Sequence, residues 1–161
     1  MPFSVRVYDR NNNAVQAPSN VRLSPAQWAA EATGGPSSAT IALSGDAQSM
    51  MGLATWLAYR IEIVSDGTAV WWGEVDAVRV TTGGIEREMT LDGMANRVKV
   101  LYTTGVAGGG VEAAETDWVE DATSIAKYGK RELVHSARGN MTATQAAALQ
   151  ARLLATGKDP Q

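Results

Sequence analysis

The feature that most constrains the fold of this chain is a β-hairpin signal over residues 59–80. Apolar and charged residues alternate from Tyr59 to Ile63, Asp66-Gly67 follows, and apolar residues resume at Ala69. Glycine adopts positive φ at little cost, and an Asp-Gly pair between alternating segments is typical of a tight hairpin turn. We therefore predict two antiparallel strands, the second running from Ala69 to Val80.

Further segments with a period of two predict more short strands. They are Phe3 to Val7, a strand containing Trp28 that stops at Gly34-Gly35-Pro36, its hairpin partner from Ala39 to Leu43, a strand from Ile85 to Leu91 after Gly83-Gly84, and a strand ending at Tyr102. Many short strands with turn signals between them indicate a β-sandwich or a small barrel.

Helix signals interrupt this pattern once and then follow it. Ser44-Gly45-Asp46 is a candidate cap for a helix that reaches about Tyr59. Its predicted buried stripe consists of Ala47, Met50, Met51, Ala54 and Leu57. Further along, Asp117 with Glu120 predicts a helix that Gly129 ends, Glu132 to Ser136 predicts a strand, and Thr142 with Gln145 predicts a capping box for a last helix with Ala146, Leu149 and Leu153 on its apolar side.

The glycine-rich segment Gly105 to Gly110 has the composition of a flexible loop. Because the pattern changes there, we predict a β-barrel or sandwich domain over residues 1–104, a linker over 105–115, and a helix-strand-helix extension over 116–161. The predicted class is α+β and mainly β, with one inserted helix and a C-terminal helical extension.

Composition restricts the classes of partner. The formal net charge is −3 and the chain contains no cysteine, so neither a nucleic-acid-binding basic field nor a disulfide or zinc-thiolate framework is expected. No segment has the roughly 20 apolar residues of a membrane span, and the first ten residues lack the pattern of a secretory signal. We expect assembly in the cytoplasm, protein partners and no cofactor.

Candidate catalytic residues are few. His135 is the only histidine, and the residues around it supply no partner for a catalytic relay or a metal site. Glu74 with Asp76, and Glu86 with Glu88, are carboxylate pairs spaced two apart, as a glycosidase might use. Such pairs are common on solvated strand faces, so the chain is not expected to be an enzyme; a small hydrolase using Glu74 and Asp76 stays open as a lesser alternative.

The chain has five tryptophans, and two of them are adjacent. Trp71 and Trp72 should point to opposite faces of one strand, so one ring belongs to the core and the other lies on the outer face. Trp28, Trp56 and Trp118 are expected in the core. An exposed tryptophan is suited to contact a partner.

Several segments resemble the opening β domain of bacteriophage tail-hub proteins. They are Thr33-Gly34-Gly35-Pro36, Val70-Trp71-Trp72-Gly73-Glu74-Val75, and the segment from Leu91 to Val98. Ser124 to Glu132, which includes Tyr128-Gly129 and Arg131-Glu132, and the alanine-rich helix from Thr142 are similar to a stretch of baseplate and tail-tip hubs. The resemblance covers roughly residues 26–157.

This resemblance implies a structural virion protein. In that family the hub lies below the tail tube, usually as a trimer, and joins the tube to the spike or fibres. Known hubs are considerably longer than this chain, so the resemblance implies one half of a split hub, a tail-tip adaptor or a fragment. We expect a homo-oligomer that contacts tube, spike or fibre proteins through Trp71 or Trp72, Tyr128 and Arg131. A carbohydrate- or receptor-binding β module is the alternative.

Overall fold

The computed structural model describes residues 3–31, 35–82 and 85–161. The chain divides into two compact units, Met1–Leu91 and Asp92–Gln161. Strands make up most of the regular structure and helices the remainder, which confirms the predicted class of a mainly β, α+β protein. None of the helices in the described part of the chain is long and apolar enough to cross a membrane.

In its described residues the first unit contains eight strands. They are β1 Phe3–Tyr8, β2 Ala14–Val15, β3 Arg22–Glu31, β4 Gly35–Ser44, β5 Arg60–Ser65, β6 Thr68–Glu74, β7 Ala77–Thr82 and β8 Ile85–Thr90. A four-stranded antiparallel sheet has the order β2-β1-β5-β6, while β3-β4 and β7-β8 are separate two-stranded ribbons. The predicted strand breaks at Gly34 and Gly83-Gly84 lie outside the described residues.

The β5–β6 hairpin confirms the central prediction. Asp66 and Gly67 have φ values of 49° and 83°, and positive φ at both central residues is the requirement of a type I′ turn. The returning strand is shorter than predicted, because it ends at Glu74 rather than Val80. Between β6 and β7 the Val75 amide donates to the Tyr59 carbonyl, and the chain then leaves this sheet to pair as β7 with β8.

The inserted helix is present, but its buried face differs from the prediction. Asp46 caps α1, Ala47–Gly52, by accepting a hydrogen bond from the Ser49 amide, and a 3₁₀ helix over Leu53–Trp56 follows. A 3₁₀ helix has fewer residues per turn than an α-helix, so Leu53 and Trp56 add to the buried side of the predicted stripe. Leu53 and Trp56 are buried in addition to the predicted Leu57, whereas the predicted Met51, in α1, is exposed.

The core of the first unit is built from the sheet and this short helix. Val7 of β1, Val21, Leu53 and Trp56 form one buried cluster. Half-buried apolar side chains from β1, β3, β4 and β5 pack against it. The helix thus covers an apolar face of the sheet, as alternation along β1 and β5 requires.

The second unit is organised around one strand. Its elements are β9 Arg97–Gly105, β10 Val111–Glu115, β11 Val119–Glu120, α2 Ala122–Tyr128, β12 Glu132–Asn140 and α3 Ala143–Gly157. β10 and β11 pair antiparallel with β9, and β12 pairs parallel with it. The capping box of Thr142 and Gln145 opens α3 as predicted.

Two predicted boundaries lie elsewhere. The division between units falls after Leu91 instead of over residues 105–115, because β10 pairs with β9 and the glycine-rich segment is the loop of their hairpin. The α2 helix is capped by Asp121 instead of Asp117, since Val119–Glu120 pairs with β9 as a strand. Gly129, with φ of 74°, ends α2 as predicted.

Buried polar side chains hold the second unit together. The Asn96 side chain is fully buried, donates to the Gly129 carbonyl at 2.7 Å and accepts from the Arg131 amide at 2.8 Å. The Gln150 side chain donates to the carbonyls of Val98, at 2.8 Å, and Asp117, at 2.6 Å. Buried polar groups with partners fix the positions of helices relative to strands.

Candidate interaction groove

The two adjacent tryptophans lie on opposite faces of β6, which confirms that prediction. Trp71 is 6% exposed, and its Nε1–H donates to the Ala29 carbonyl at 3.1 Å. Trp72 is 55% exposed. Gly73 makes room for the buried ring, because a Cβ there would lie 2.3 Å from Trp71 Cη2.

Beside these tryptophans the first unit contains an open groove of about 1060 Å³. One wall consists of residues 36–43 on β4 and the other of residues 71–81 on β6, β7 and their connection. Its floor is apolar and includes Leu23, Met50, Leu53, Trp56 and Ile61. We call this feature the edge groove.

The walls of the edge groove are strand edges and not strand faces. Side chains of consecutive strand residues point to opposite faces, so a groove that runs over a sheet face is lined by every second residue. Here every residue from 36 to 43 and from 71 to 81 contributes to the lining. Consecutive lining residues place the strand backbone itself along the groove.

Both edges lack a neighbouring strand. Within the described ranges, β4 pairs only with β3, and β6 is the last strand of its sheet, paired only with β5. An edge strand carries a row of backbone N–H and C=O groups that can pair with another chain. The edge groove therefore offers unused hydrogen-bonding capacity on two sides.

These edges carry little charge, although the pairing of β4 shifts register between Ala39 and Pro36 and that of β6 between Trp71 and Ala69. Natural edge strands carry charged side chains, especially lysine, or proline and bulges that prevent pairing. β4 contains no charged residue from Gly35 to Ser44, and its one proline, Pro36, is the second residue. β6 has a single charged residue, Glu74, at its end. Such edges are suited to be covered by a partner.

The rim of the edge groove is acidic. Glu74, Asp76 and Glu88 contribute to the lining, against one cation, Arg79. The Arg79 guanidinium contacts Glu88 at 2.9 Å and Glu86 at 3.1 Å, and the hydrogen bond to Glu88 raises the pKa of Arg79. The Glu86 and Glu88 pair thus belongs to a surface ion cluster across the β7–β8 ribbon.

The remaining candidate residues for chemistry belong to different elements. Glu74 ends β6, whereas Asp76 is in the β6–β7 connection, so they do not share one strand as predicted. His135 is half-buried on β12 and lies opposite Val100 of β9. The part of the chain that the structure describes holds no group of three or more histidine, aspartate or glutamate side chains placed to bind a metal ion.

The two other predicted interface residues belong to the second unit. Tyr128 is the last residue of α2 and is half-buried. Arg131 is half-buried as well, and its backbone pairs with Asn96 and Arg97. The structure thus places Trp71 and Trp72 at the edge groove, and Tyr128 and Arg131 near one another at the start of β12.

Of the three tryptophans expected in the core, only Trp56 is buried. Trp28 is half-buried and packs edge-on against Phe3, with ring centroids 4.7 Å apart. Trp118 is half-buried under the guanidinium of Arg97, 4.5 Å from the ring centroid. Both rings are therefore held in place by neighbours at the protein surface.

The wall formed by β4 was not predicted from the sequence. The usable signal was the ten-residue strand without a charged side chain, although that pattern alone does not distinguish a free edge from a paired one.

Comparisons of the chain with protein-family models, curated proteins and solved structures gave no match.

Proposed function

We propose that this chain is a non-catalytic structural protein of a bacteriophage tail, part of the oligomeric hub or tail tip that joins the tail tube to the spike or fibres. The resemblance of its sequence segments to tail hubs supports this proposal. So does the edge groove, since a protein whose work is assembly needs surfaces that bind other subunits. The chain would be made in the host cytoplasm and function in the virion.

The observation that carries the proposal is the exposure of Trp72 beside two unpaired strand edges. Trp72 is 55% exposed and Val70 of the same strand is 46% exposed. Tryptophan is enriched among the residues that contribute most to protein–protein binding. A large aromatic ring next to unpaired backbone groups is the composition of a protein-binding surface.

Several copies of the chain are expected to form a closed ring, with a trimer favoured. Rings arise from contacts in which one surface of a subunit meets a different surface of the next. Trp72 in the first unit and Tyr128 with Arg131 in the second unit are our candidates for the contacting residues. No cofactor is required for this mechanical role.

Light scattering across protein concentration tests the proposal. We expect the wild-type protein, alone or mixed with a tail-tube protein, to form a trimer or larger complex. Trp72→Ser should weaken this association by at least about tenfold, equivalent to about 1.4 kcal/mol. Val111→Ser is the matched control, because Val111 is 62% exposed on β10, a strand that carries none of the candidate contacting residues. A monomer at all concentrations that ignores the tube protein would refute the proposal.

A carbohydrate- or receptor-binding module is the second candidate. It is favoured by the position of exposed Trp72 with Glu74 and Asp76 in one open groove, since sugars stack on aromatic rings and bond to carboxylates. Screening the protein on immobilised glycans distinguishes the two. Glycan binding by a monomer, lost in Trp72→Ser, would favour the module over the hub.

A further inference from the structure

We propose that Asp66, at the tip of the β5–β6 hairpin, is a site of spontaneous modification at which the folded protein converts aspartate into isoaspartate. The reaction passes through a cyclic succinimide and uses no reagent other than water. It is independent of the proposed assembly function, because only Asp66-Gly67 and the residues around this pair take part.

Isomerisation joins the side chain of an aspartate to the next backbone nitrogen. The Gly67 nitrogen attacks the side-chain carboxyl carbon, Cγ, of Asp66; the amide proton is lost, a carboxyl oxygen leaves as water, and a succinimide ring closes. Water then opens the ring. Addition at Cγ restores aspartate, whereas addition at the backbone carbonyl carbon leaves the chain running through Cβ and Cγ, which is isoaspartate. The water released in the first step is consumed in the second, so no oxidant or reductant is needed.

The residue that follows the aspartate decides how easily this ring closes. A side chain on that residue would crowd the attacking nitrogen, and glycine has none. The sequence contains two aspartate-glycine pairs, Asp66-Gly67 and Asp92-Gly93, and no asparagine-glycine pair. A Cβ added to either glycine would meet no atom within 4 Å. Both pairs therefore meet the chemical requirement, and the structure around each pair distinguishes them.

The reacting groups at the hairpin tip are available. Asp66 and Gly67 are both exposed. Within the described ranges, neither the Asp66 carboxylate nor the Gly67 N–H forms a hydrogen bond or an ion pair with another residue. No such bond has to be broken before the nitrogen approaches Cγ.

Ring closure also requires local opening, because the Asp66–Gly67 peptide has to rotate until its nitrogen faces Cγ. The φ of Asp66 is 49°, which is uncommon for a residue other than glycine and costs energy in the closed turn. Of the flanking residues, Ser65 is half-buried and Thr68 is exposed. The hairpin tip can therefore open without disturbing the core.

The second aspartate-glycine pair is anchored on both sides. Leu91 before it and Met94 after it are buried. The amide of Ala95, which is also buried, donates to the Gly157 carbonyl at 2.7 Å. Rotation of the Asp92–Gly93 peptide strains these anchors, so opening is more costly there. We therefore expect the hairpin tip to isomerise first.

Isoaspartate changes the turn, because it adds one carbon atom to the backbone of the hairpin loop. A type I′ turn joins its strands through two residues of fixed conformation, and the longer link no longer fits. The pairs nearest the tip are Ser65 with Thr68 and Val64 with Ala69, and the register shifts beyond them. We expect these pairs to fray, whereas the pairing further along, where Trp71 is buried, persists.

Ageing of the intact protein tests this proposal. Samples kept warm in neutral buffer for several weeks are digested, and the peptides that contain residues 66 and 92 are sequenced by electron-transfer mass spectrometry, which distinguishes isoaspartate from aspartate. The same measurement is made on protein kept unfolded in guanidinium chloride. We expect isoaspartate to form at least about fivefold faster at residue 66 than at residue 92 in the folded protein, and at similar rates in the unfolded protein.

Two results would overturn the proposal. One is equal rates at the two positions in the folded protein, or faster formation at residue 92. The other is an absence of isoaspartate at residue 66 of the folded protein over a period in which it forms in the unfolded protein, since the closed turn would then protect the pair.

A matched pair of substitutions connects the modification with its structural effect. Asp66→Glu suppresses the reaction, because the longer glutamate side chain closes a larger ring far more slowly, and Asp92→Glu is the control. After ageing, amide exchange at Thr68 and Ala69 should be faster in the wild type and in Asp92→Glu, and unchanged in Asp66→Glu. Faster exchange in aged Asp66→Glu as well would overturn the assignment to Asp66. If Asp66→Glu does not fold, the comparison of folded and unfolded wild type decides.

Discussion

Substituting Gly73 by alanine should destabilise the protein through one identifiable contact. The added Cβ would lie 2.3 Å from Trp71 Cη2 and 2.8 Å from Cζ2, whereas optimal carbon contacts are about 3.5–4.0 Å. The ring must therefore move by about 1 Å or more. Because Trp71 is buried and its Nε1–H bonds to Ala29, the ring cannot move without disturbing its surroundings.

The magnitude combines two effects. Overpacking a core costs about 1–3 kcal/mol, and weakening a hydrogen bond costs about 0.5–1.5 kcal/mol. Replacing glycine by alanine at an unstrained position restores about 0.4–1 kcal/mol by restricting the unfolded chain. We expect Gly73→Ala to lower the free energy of unfolding by about 1–3 kcal/mol in urea titrations.

A control and a double mutant make this test specific. Gly105→Ala, in β9, places a Cβ in open space without positive φ, so it should be neutral or slightly stabilising. Trp71→Phe removes the colliding ring atoms, and Gly73→Ala should then cost at least about 1 kcal/mol less, a coupling measurable in a double-mutant cycle. No destabilisation by Gly73→Ala, or no coupling, would refute the reasoning.

Three other substitutions test local features of the fold. Gly67→Ala should lower the free energy of unfolding by about 1–2 kcal/mol, measured in urea, because Gly67 has positive φ; a neutral effect would argue against the type I′ turn. Thr142→Ala should cost about 1 kcal/mol by thermal or urea unfolding, because it removes the cap of α3, and an unchanged stability would contradict the capping box. Hydrogen bonds from the Ser124 amide and from Lys158 lower the pKa of Asp121, so the folded protein holds this proton less tightly than the unfolded chain. The resulting stability is present at neutral pH and is lost as pH falls through the lowered pKa, below about 4. Asp121→Asn keeps a good capping residue, so its deficit in stability against the wild type should shrink on acidification; a deficit independent of pH would exclude this linkage.

Local patterns in the sequence identified the elements whose partners are close along the chain. The Asp66-Gly67 turn, the first strand and the Thr142 capping box each depend on a few neighbouring residues, and each is present in the structure. The separation of Trp71 from Trp72 follows from strand geometry alone. These features were predictable because local physical chemistry determines them.

Features that depend on distant residues were not predictable in this way. The glycine-rich segment after Gly105 has the composition of a linker, yet pairing of β10 with β9 makes it a hairpin loop. The boundary after Leu91 and the burial of Leu53 likewise follow from tertiary packing. Among the residues that the structure describes, β4 and β6 have no further strand beside them, and the sequence of a strand does not show which strands lie beside it.

The central claim, that this chain is a structural component of a phage tail, is tested most directly in the virion. Under this proposal a phage encodes the chain, and quantitative mass spectrometry of its purified particles measures the presence and copy number of the chain. We expect peptides of the chain in intact particles, at a few copies per virion and in a multiple that fits a ring. Its absence from particles in which capsid and tail-tube proteins are detected would contradict the account.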